Sequence, residues 1–297
     1  MELKAYAKIN WDLHVLGRRP DGFHALDMVM VNVSLCDTLA FSTQDSFEFT
    51  CSDPSLPTDG RNLVVKAAEL LARAASRPCG AKIHLQKSIP PGGGMGGGSS
   101  DAACALRGLN TLWGLNWPIE RLHPLAAELG SDVAFFLYGG WRRCLGRGEI
   151  VEALPGSRQW PQVHVFLVMP PLHVATPAVY KALRAPLWDG KSGIRDLSAV
   201  AQRVELTLQQ LAGGVCTDLG SENDLTAPAL EVQPTLALVR QALARHCPGR
   251  WLMSGSGAVH FAAPLPGEDG AKLRAALTNI PGLDIRVVAA TTCTPEL

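Results

Sequence analysis

The sequence predicts a two-domain α+β protein, and three observations carry that expectation. Its 297 residues, 47% of them apolar, are enough to bury more than one core. Strand-like and helix-like patterns alternate, and in the second half the strands between helices are suited to antiparallel pairing. Composition changes at Leu154-Pro155-Gly156-Ser157-Arg158-Gln159-Trp160-Pro161, so the expected domains are residues 1–154 and 155–297.

The first strand alternates Ala5, Ala7, Ile9, Trp11, Leu13 and Val15 on one face with Tyr6, Lys8, Asn10, Asp12 and His14 on the other. Lys8 and Asn10 therefore project together, about 7 Å apart at strand rise. A polar strand face is ordinarily a wet one. A Pro-Asp-Gly turn follows within Gly17-Arg18-Arg19-Pro20-Asp21-Gly22-Phe23-His24. Strand character returns at 28–35, 38–41 and 47–51, and a polar loop leads to a helical pattern from Arg61 to about Ala75.

The next strand, residues 81–86, runs into Pro90-Pro91-Gly92-Gly93-Gly94-Met95-Gly96-Gly97-Gly98-Ser99-Ser100-Asp101-Ala102-Ala103. Six of the seven residues 92–98 are glycine, giving a backbone that reaches unusual conformations with no side chains to hold a ligand away. Helix formers follow over 99–113, and Ser-Ser-Asp is good N-cap material. A bare backbone at a helix start, with its first N–H groups lacking partners, suits phosphate. A merely flexible loop would rarely sit between a strand and a capped helix. The loop is not a Walker A, since Ser99 stands where lysine is required, nor a dinucleotide fold, since no second strand ending in an acid follows about 20 residues on.

A helix is expected at 118–129, and then Gly130-Ser131-Asp132-Val133-Ala134-Phe135-Phe136 sets one acid in an apolar run. Asp132 reads either as a cap on a short helix or as a carboxylate held partly dry, able to act as a base. Residues 141–151 have irregular strand character. In the second half, strands are expected at 163–169, 251–253, 258–263 and 283–289, and helices at 176–183, 196–211, 231–245 and 270–279. Met253-Ser254-Gly255-Ser256-Gly257-Ala258 reads alone as a tight hairpin.

Charge is balanced, 27 Lys and Arg against 27 Asp and Glu, which argues against a general nucleic-acid or membrane-surface binder. Eight cysteines without a C-x-x-C pair argue against zinc or a disulfide framework and fit a reducing cytosol. No signal-peptide core and no run of roughly 18 apolar residues is present, so a soluble, cytoplasmic protein is expected.

Ala7-Lys8-Ile9-Asn10, the Pro90–Ala103 loop, Gly130-Ser131-Asp132-Val133 and Ser254-Gly255-Ser256-Gly257 together resemble the motifs of the GHMP small-molecule kinases. The likeness runs in order through nearly the whole chain. It implies an N-terminal domain like ribosomal protein S5 domain 2, a ferredoxin-like C-terminal domain, and an active site between them. The Gly17–His24 segment and the expanded glycine loop resemble the branch that acts on a cytidine-diphosphate-linked methylerythritol in non-mevalonate isoprenoid synthesis. The implied reaction moves the γ-phosphate of ATP, with Mg²⁺ arriving on the nucleotide, to the 2-hydroxyl of that substrate.

The resemblance also implies roles. Asp132 is the general base, and Lys8 orients the hydroxyl and keeps Asp132 ionised. Pro90, Pro91, Gly92, Gly93, Gly94, Met95, Gly96, Gly97, Gly98, Ser99 and Ser100 wrap the ATP phosphates, with Ser99 or Ser100 as Mg²⁺ contacts, and Asn62 and Lys87 meet the adenosine. Asn10 and His24 hydrogen-bond the acceptor, Phe23 and Tyr180 sandwich its cytosine, and Thr176 is a further contact. Three departures stand out: Ala134 replaces a proline after the Asp-Val pair, Phe23 a common tyrosine, and Trp11 a usual leucine. The implied partners are small molecules only, with the chain a monomer or homodimer. Rival readings are a kinase of homoserine, mevalonate or a sugar, and a nucleotide-binding regulator without chemistry.

Overall fold

The computed structural model describes residues 1–295. Strands β1 (Glu2–Arg18) and β2 (His24–Ser42) form a long antiparallel hairpin. The break expected between 35 and 38 does not occur, because β2 absorbs it as a register shift opposite Tyr6 and Ala7. Next along the chain come β3 (Phe47–Cys51), β4 (Ala81–Gln86), β5 (Arg142–Gly146) and β6 (Ile150–Ala153). β4 and β5 pair antiparallel with opposite ends of β2, while β3 lies parallel to β4.

Helices α1 (Leu63–Ala74), α2 (Gly97–Leu112), α3 (Ile119–Leu129) and α4 (Val133–Tyr138) pack on this sheet. There Met28, Met30, Leu39 and Phe41 meet Val64, Leu71, Leu106 and Phe135 in one buried cluster.

The second half contributes β7 (His164–Met169), β8 (Trp251–Met253), β9 (His260–Ala262) and β10 (Arg286–Cys293), all paired antiparallel in the order β10-β7-β9-β8. Its helices are α5 (Thr176–Leu183), α6 (Leu197–Ala212), α7 (Thr226–Val232), α8 (Leu236–His246) and α9 (Gly270–Thr278). Alternation along β7 sends Val165 and Leu167 toward α6, and Phe166 and Val168 toward α8 and α9. β10 also pairs with β2 at Thr292 and Cys293, so one hydrogen-bonded path crosses both halves. The single helix expected over 231–245 is two, because Pro234 cannot continue it and Gln233 turns extended.

Two expectations about β1 need correction. Trp11 is an extra residue opposite the Met30–Val29 step, so alternation reverses there. Ile9 and Trp11 consequently join one core and Leu13 the other, while Ala5 and Ala7 part into the two cores at the earlier register shift between Tyr6 and Ala7. The polar face is also not wet: Lys8, Asn10 and Asp12 are all buried.

The burial of Asp12 is balanced by partners far along the chain. Arg195 and Arg203 both bond its carboxylate, and Arg195 reaches on to Asp27, which Arg143 also grips at 2.8 Å. Burial alone would raise Asp27, yet the Arg143 and Arg195 guanidinium groups hold it well below the usual carboxylate range. This network ties the β1–β2 hairpin to α6 and the segment before it.

Candidate active site

A cleft of about 800 Å³ opens where the glycine loop, β1, the β1–β2 turn, the start of α4, α5 and the β8–β9 loop converge. Lys8, Asn10, Phe23, His24, residues 90–99, Asp132, Thr176 and Tyr180 all line it. The structure thus gathers most of the residues singled out in the sequence into one cavity.

The glycine loop is held by contacts that exclude side chains. Gly94 has φ +77°, and a Cβ there would lie 2.4 Å from the Ser254 carbonyl oxygen. A Cβ on Gly96, at φ +67°, would meet the Phe136 ring at 2.8 Å. Lys8 N–H donates to Met95 O, and Ser254 Oγ donates to Gly94 O, pinning the loop between β1 and the β8–β9 loop. Ser254-Gly255-Ser256-Gly257 is therefore a wall of the cleft as well as a hairpin.

The capping expected of Ser99-Ser100-Asp101 is not observed. Gly96 is the N-cap, in the left-handed conformation, and no side chain caps α2. Ser100 instead donates to Tyr6 O at 2.7 Å, and Asp101 turns inward to Lys87. The first amides of α2 are left open at the cleft, which favours an anion more than a serine cap would.

At the cleft floor, Lys8 Nζ lies 3.5 Å from Asp132 Oδ2 and donates to Asn10 Oδ1 at 2.5 Å. Asp132 occupies the N-cap position of α4, but its side chain makes no cap bond. Its carboxylate is 29% exposed, which leaves it open to a substrate while Lys8, at 4%, is almost enclosed. α4 starts without the missing proline: Val133 N–H donates to Gly130 O, and Ala134 is fully buried in the helix. Trp11 packs on Trp141 and Phe261, so its bulk goes into the core.

The other end of the cleft is aromatic. His24 and Tyr180 pack with ring centroids 4.8 Å apart and planes tilted by 34°, and Phe23 stands 48% exposed at the mouth. Burial, with Arg18 adding to it, lowers the His24 pKa, which favours a neutral imidazole with one donor and one acceptor. Thr176 Oγ1 bonds Ser256 Oγ at 2.7 Å, joining α5 to the second glycine loop.

Three expected site side chains do not line the cleft. Asn62 caps α1, accepting from Val64 N–H and donating to Pro57 O. Lys87 is buried between Asp37 and Asp101, and Ser100 is bonded to Tyr6 O. Other residues enter unforeseen. Arg147 lines the cleft with its guanidinium 5.1 Å from the Phe23 ring centroid, and Lys181 joins it, whereas Ser131 and Gly255 line it as parts of motifs already read in the sequence. A charge between two glycines, Gly146-Arg147-Gly148, was the available sign for Arg147. Asn223, which supports the cavity by bonding Met253 O and Gly255 O, carried no local sign.

Residues 62–140 match the family described as GHMP kinases N terminal domain. A 4-diphosphocytidyl-2-C-methyl-D-erythritol kinase of Heliobacterium modesticaldum is 40% identical over 269 residues, spanning 86% of this chain and 84% of the relative. The chain belongs to the 4-diphosphocytidyl-2-C-methyl-D-erythritol kinase family. Its relative in Synechococcus sp. (strain CC9902) is 42% identical over 272 residues, covering 88% of this chain and 87% of that one. A crystal structure of 4-(cytidine 5'-diphospho)-2C-methyl-D-erythritol kinase superimposes with a TM-score of 0.79 at 33% identity, covering 99% of this chain and all of the other. The homoserine kinase of Cytophaga hutchinsonii, at 20% identity and a TM-score of 0.67 over 98% of this chain and 95% of its own, shares the fold alone. No helix among the described residues is long and apolar enough to cross a membrane.

Proposed function

We propose that this chain transfers the γ-phosphate of ATP to the 2-hydroxyl of 4-diphosphocytidyl-2-C-methyl-D-erythritol, in the cytoplasm, as a step of non-mevalonate isoprenoid precursor synthesis. The observation that carries the reading is one cleft holding the Lys8–Asp132 pair, the uncapped start of α2 and the Phe23–His24–Tyr180 aromatic end. Names of the relatives add the substrate.

Phosphoryl transfer asks the protein mainly for position and charge. In this reading the ATP phosphates lie along residues 92–99, on backbone N–H groups and the positive end of α2. Asp132 accepts the proton of the acceptor hydroxyl, and Lys8 holds that oxygen and balances the charge as the bond forms. Asn10 fixes the ammonium of Lys8 through Oδ1, while its Nδ2 rests on Met28 Sδ. His24, Phe23 and Tyr180 take the cytosine by hydrogen bonding and stacking.

Mg²⁺ would come with the nucleotide, and Ser99 is the hydroxyl of the first turn that lines the cleft, Ser100 being bonded elsewhere. Bound there, the ion would neutralise phosphate charge. The finer domain reading belongs to the same proposal: an S5 domain 2-like part to residue 154 and a ferredoxin-like part beyond it. The connection between β6 and β7 contains that boundary.

The test is phosphoryl transfer from Mg-ATP to the cytidylated methylerythritol, with mevalonate, homoserine and free methylerythritol phosphate alongside. Turnover with the first alone is expected. Turnover with another alcohol would keep a kinase and discard the cytidine site, while tight ATP binding with no turnover would favour a regulator.

A further inference from the structure

Beneath the glycine loop lies a buried charged triad that phosphoryl transfer itself does not use. Lys87 Nζ is 2.5 Å from Asp37 Oδ2 and 2.9 Å from Asp101 Oδ2, and all three side chains are at most 7% exposed. Each residue comes from a different element. Asp37 is on β2, Lys87 follows β4 at the entry to the loop, and Asp101 is on α2 at its exit. Asp37 Oδ1 also accepts from Ser88 N–H and Ile89 N–H, fastening the entering segment to β2. The ammonium sits under the first turn of α2, 3.3 Å from where a Cβ on Gly97 would be.

We propose that Lys87 is a positioning residue for the phosphate loop, joining the segment that enters it to the helix that leaves it. A run of glycines has many conformations to lose when it closes on an anion, and a fixed base removes much of that loss beforehand. The loop's tip is already pinned by Lys8 and Ser254, so Lys87 completes the enclosure from below. Burial pushes the Asp101 carboxyl upward, with Lys87 opposing and Asp37 adding to the rise, so a neutral acceptor suits that position. An asparagine at 101 would keep the acceptor oxygen facing Lys87.

The inference rests on residues 92–99 receiving the ATP phosphates, and the experiment separates the two claims. Dissociation constants for ATP, inorganic triphosphate and adenosine are measured for the natural protein, Lys87→Met, Asp101→Ala and Asp101→Asn. If the natural protein binds neither ATP nor triphosphate, the phosphate-loop reading falls and this one with it. Otherwise Lys87→Met should weaken ATP and triphosphate by about tenfold or more and leave adenosine little changed. Asp101→Ala should do the same, with Asp101→Asn restoring most of the affinity. An equal loss toward adenosine would make Lys87 a direct nucleoside contact and overturn the proposal. So would undiminished triphosphate binding by Lys87→Met or, should that variant not fold, by Asp101→Ala.

Discussion

Asp132 Oδ2 and Lys8 Nζ face each other across 3.5 Å at the floor of the cleft, one from the start of α4 and one from the middle of β1. Asp132 caps nothing, and buried Lys8 has Asn10, two residues on, as its other polar contact. Asp132→Asn should lower kcat by about 10²–10⁴-fold, the usual worth of a positioned base, while ATP binding persists. Single-turnover rates and nucleotide titration would check it, and undiminished turnover would remove Asp132 from the mechanism.

Phe23 and Arg147 form the outer edge of the aromatic end. Phe23→Ala should raise KM for the cytidylated acceptor by roughly tenfold, since a stacked base is worth about 1–3 kcal/mol, with KM for ATP unmoved. Arg147→Met should also raise the acceptor KM, and less so at high salt, because a partly exposed cation attracts the diphosphate through screened space. Steady-state kinetics at two ionic strengths would separate the two contributions. Identical salt dependence in Arg147→Met and the natural protein would rule out the electrostatic role.

Gly94 leaves no room for a methyl group: a Cβ would sit 2.4 Å from Ser254 O. Gly94→Ala should therefore shift the loop and reduce kcat/KM for ATP on the order of 10²-fold. Gly60→Ala, where a Cβ meets nothing within 4 Å, should behave as the natural protein. Equal activity of both variants would show that the loop tolerates displacement.

His14 gives the stability a pH dependence. Pairing with Asp12 raises the His14 pKa above its ordinary 6.5, burial opposing. A raised histidine contributes stability that is full below its unfolded pKa and is lost as pH rises through the folded value. Melting temperature should accordingly fall as pH rises from the ordinary 6.5 through the raised His14 value, and His14→Gln should flatten that slope. Parallel slopes in the two proteins would exclude His14 as the cause.

Much of the scaffold was legible along the chain. The bounds of β3, β4, α5 and β8 coincide with their expected ranges, because period and turn residues are local signals. Lys8 and Asn10 were legible as a pair for the same reason. The helix start after the glycine loop is not decided by equally local information. Ser99, Ser100 and Asp101 have strong capping preferences, but Gly96 can take the left-handed turn earlier, and packing gave Ser100 and Asp101 other partners.

What the order of residues carried was period, glycine placement and the motifs that mark the family, since backbone preference and alternation depend on near neighbours. Which polar groups would be buried, and against what, depended on residues far apart in the chain. Asp12 meets Arg195 and Arg203, Lys87 meets Asp37, and Asn223 holds the loop at Gly255. A lone charge in a strand reads as wet because nothing beside it offers compensation. Folding brings the compensating charge from elsewhere, and burial becomes affordable only then.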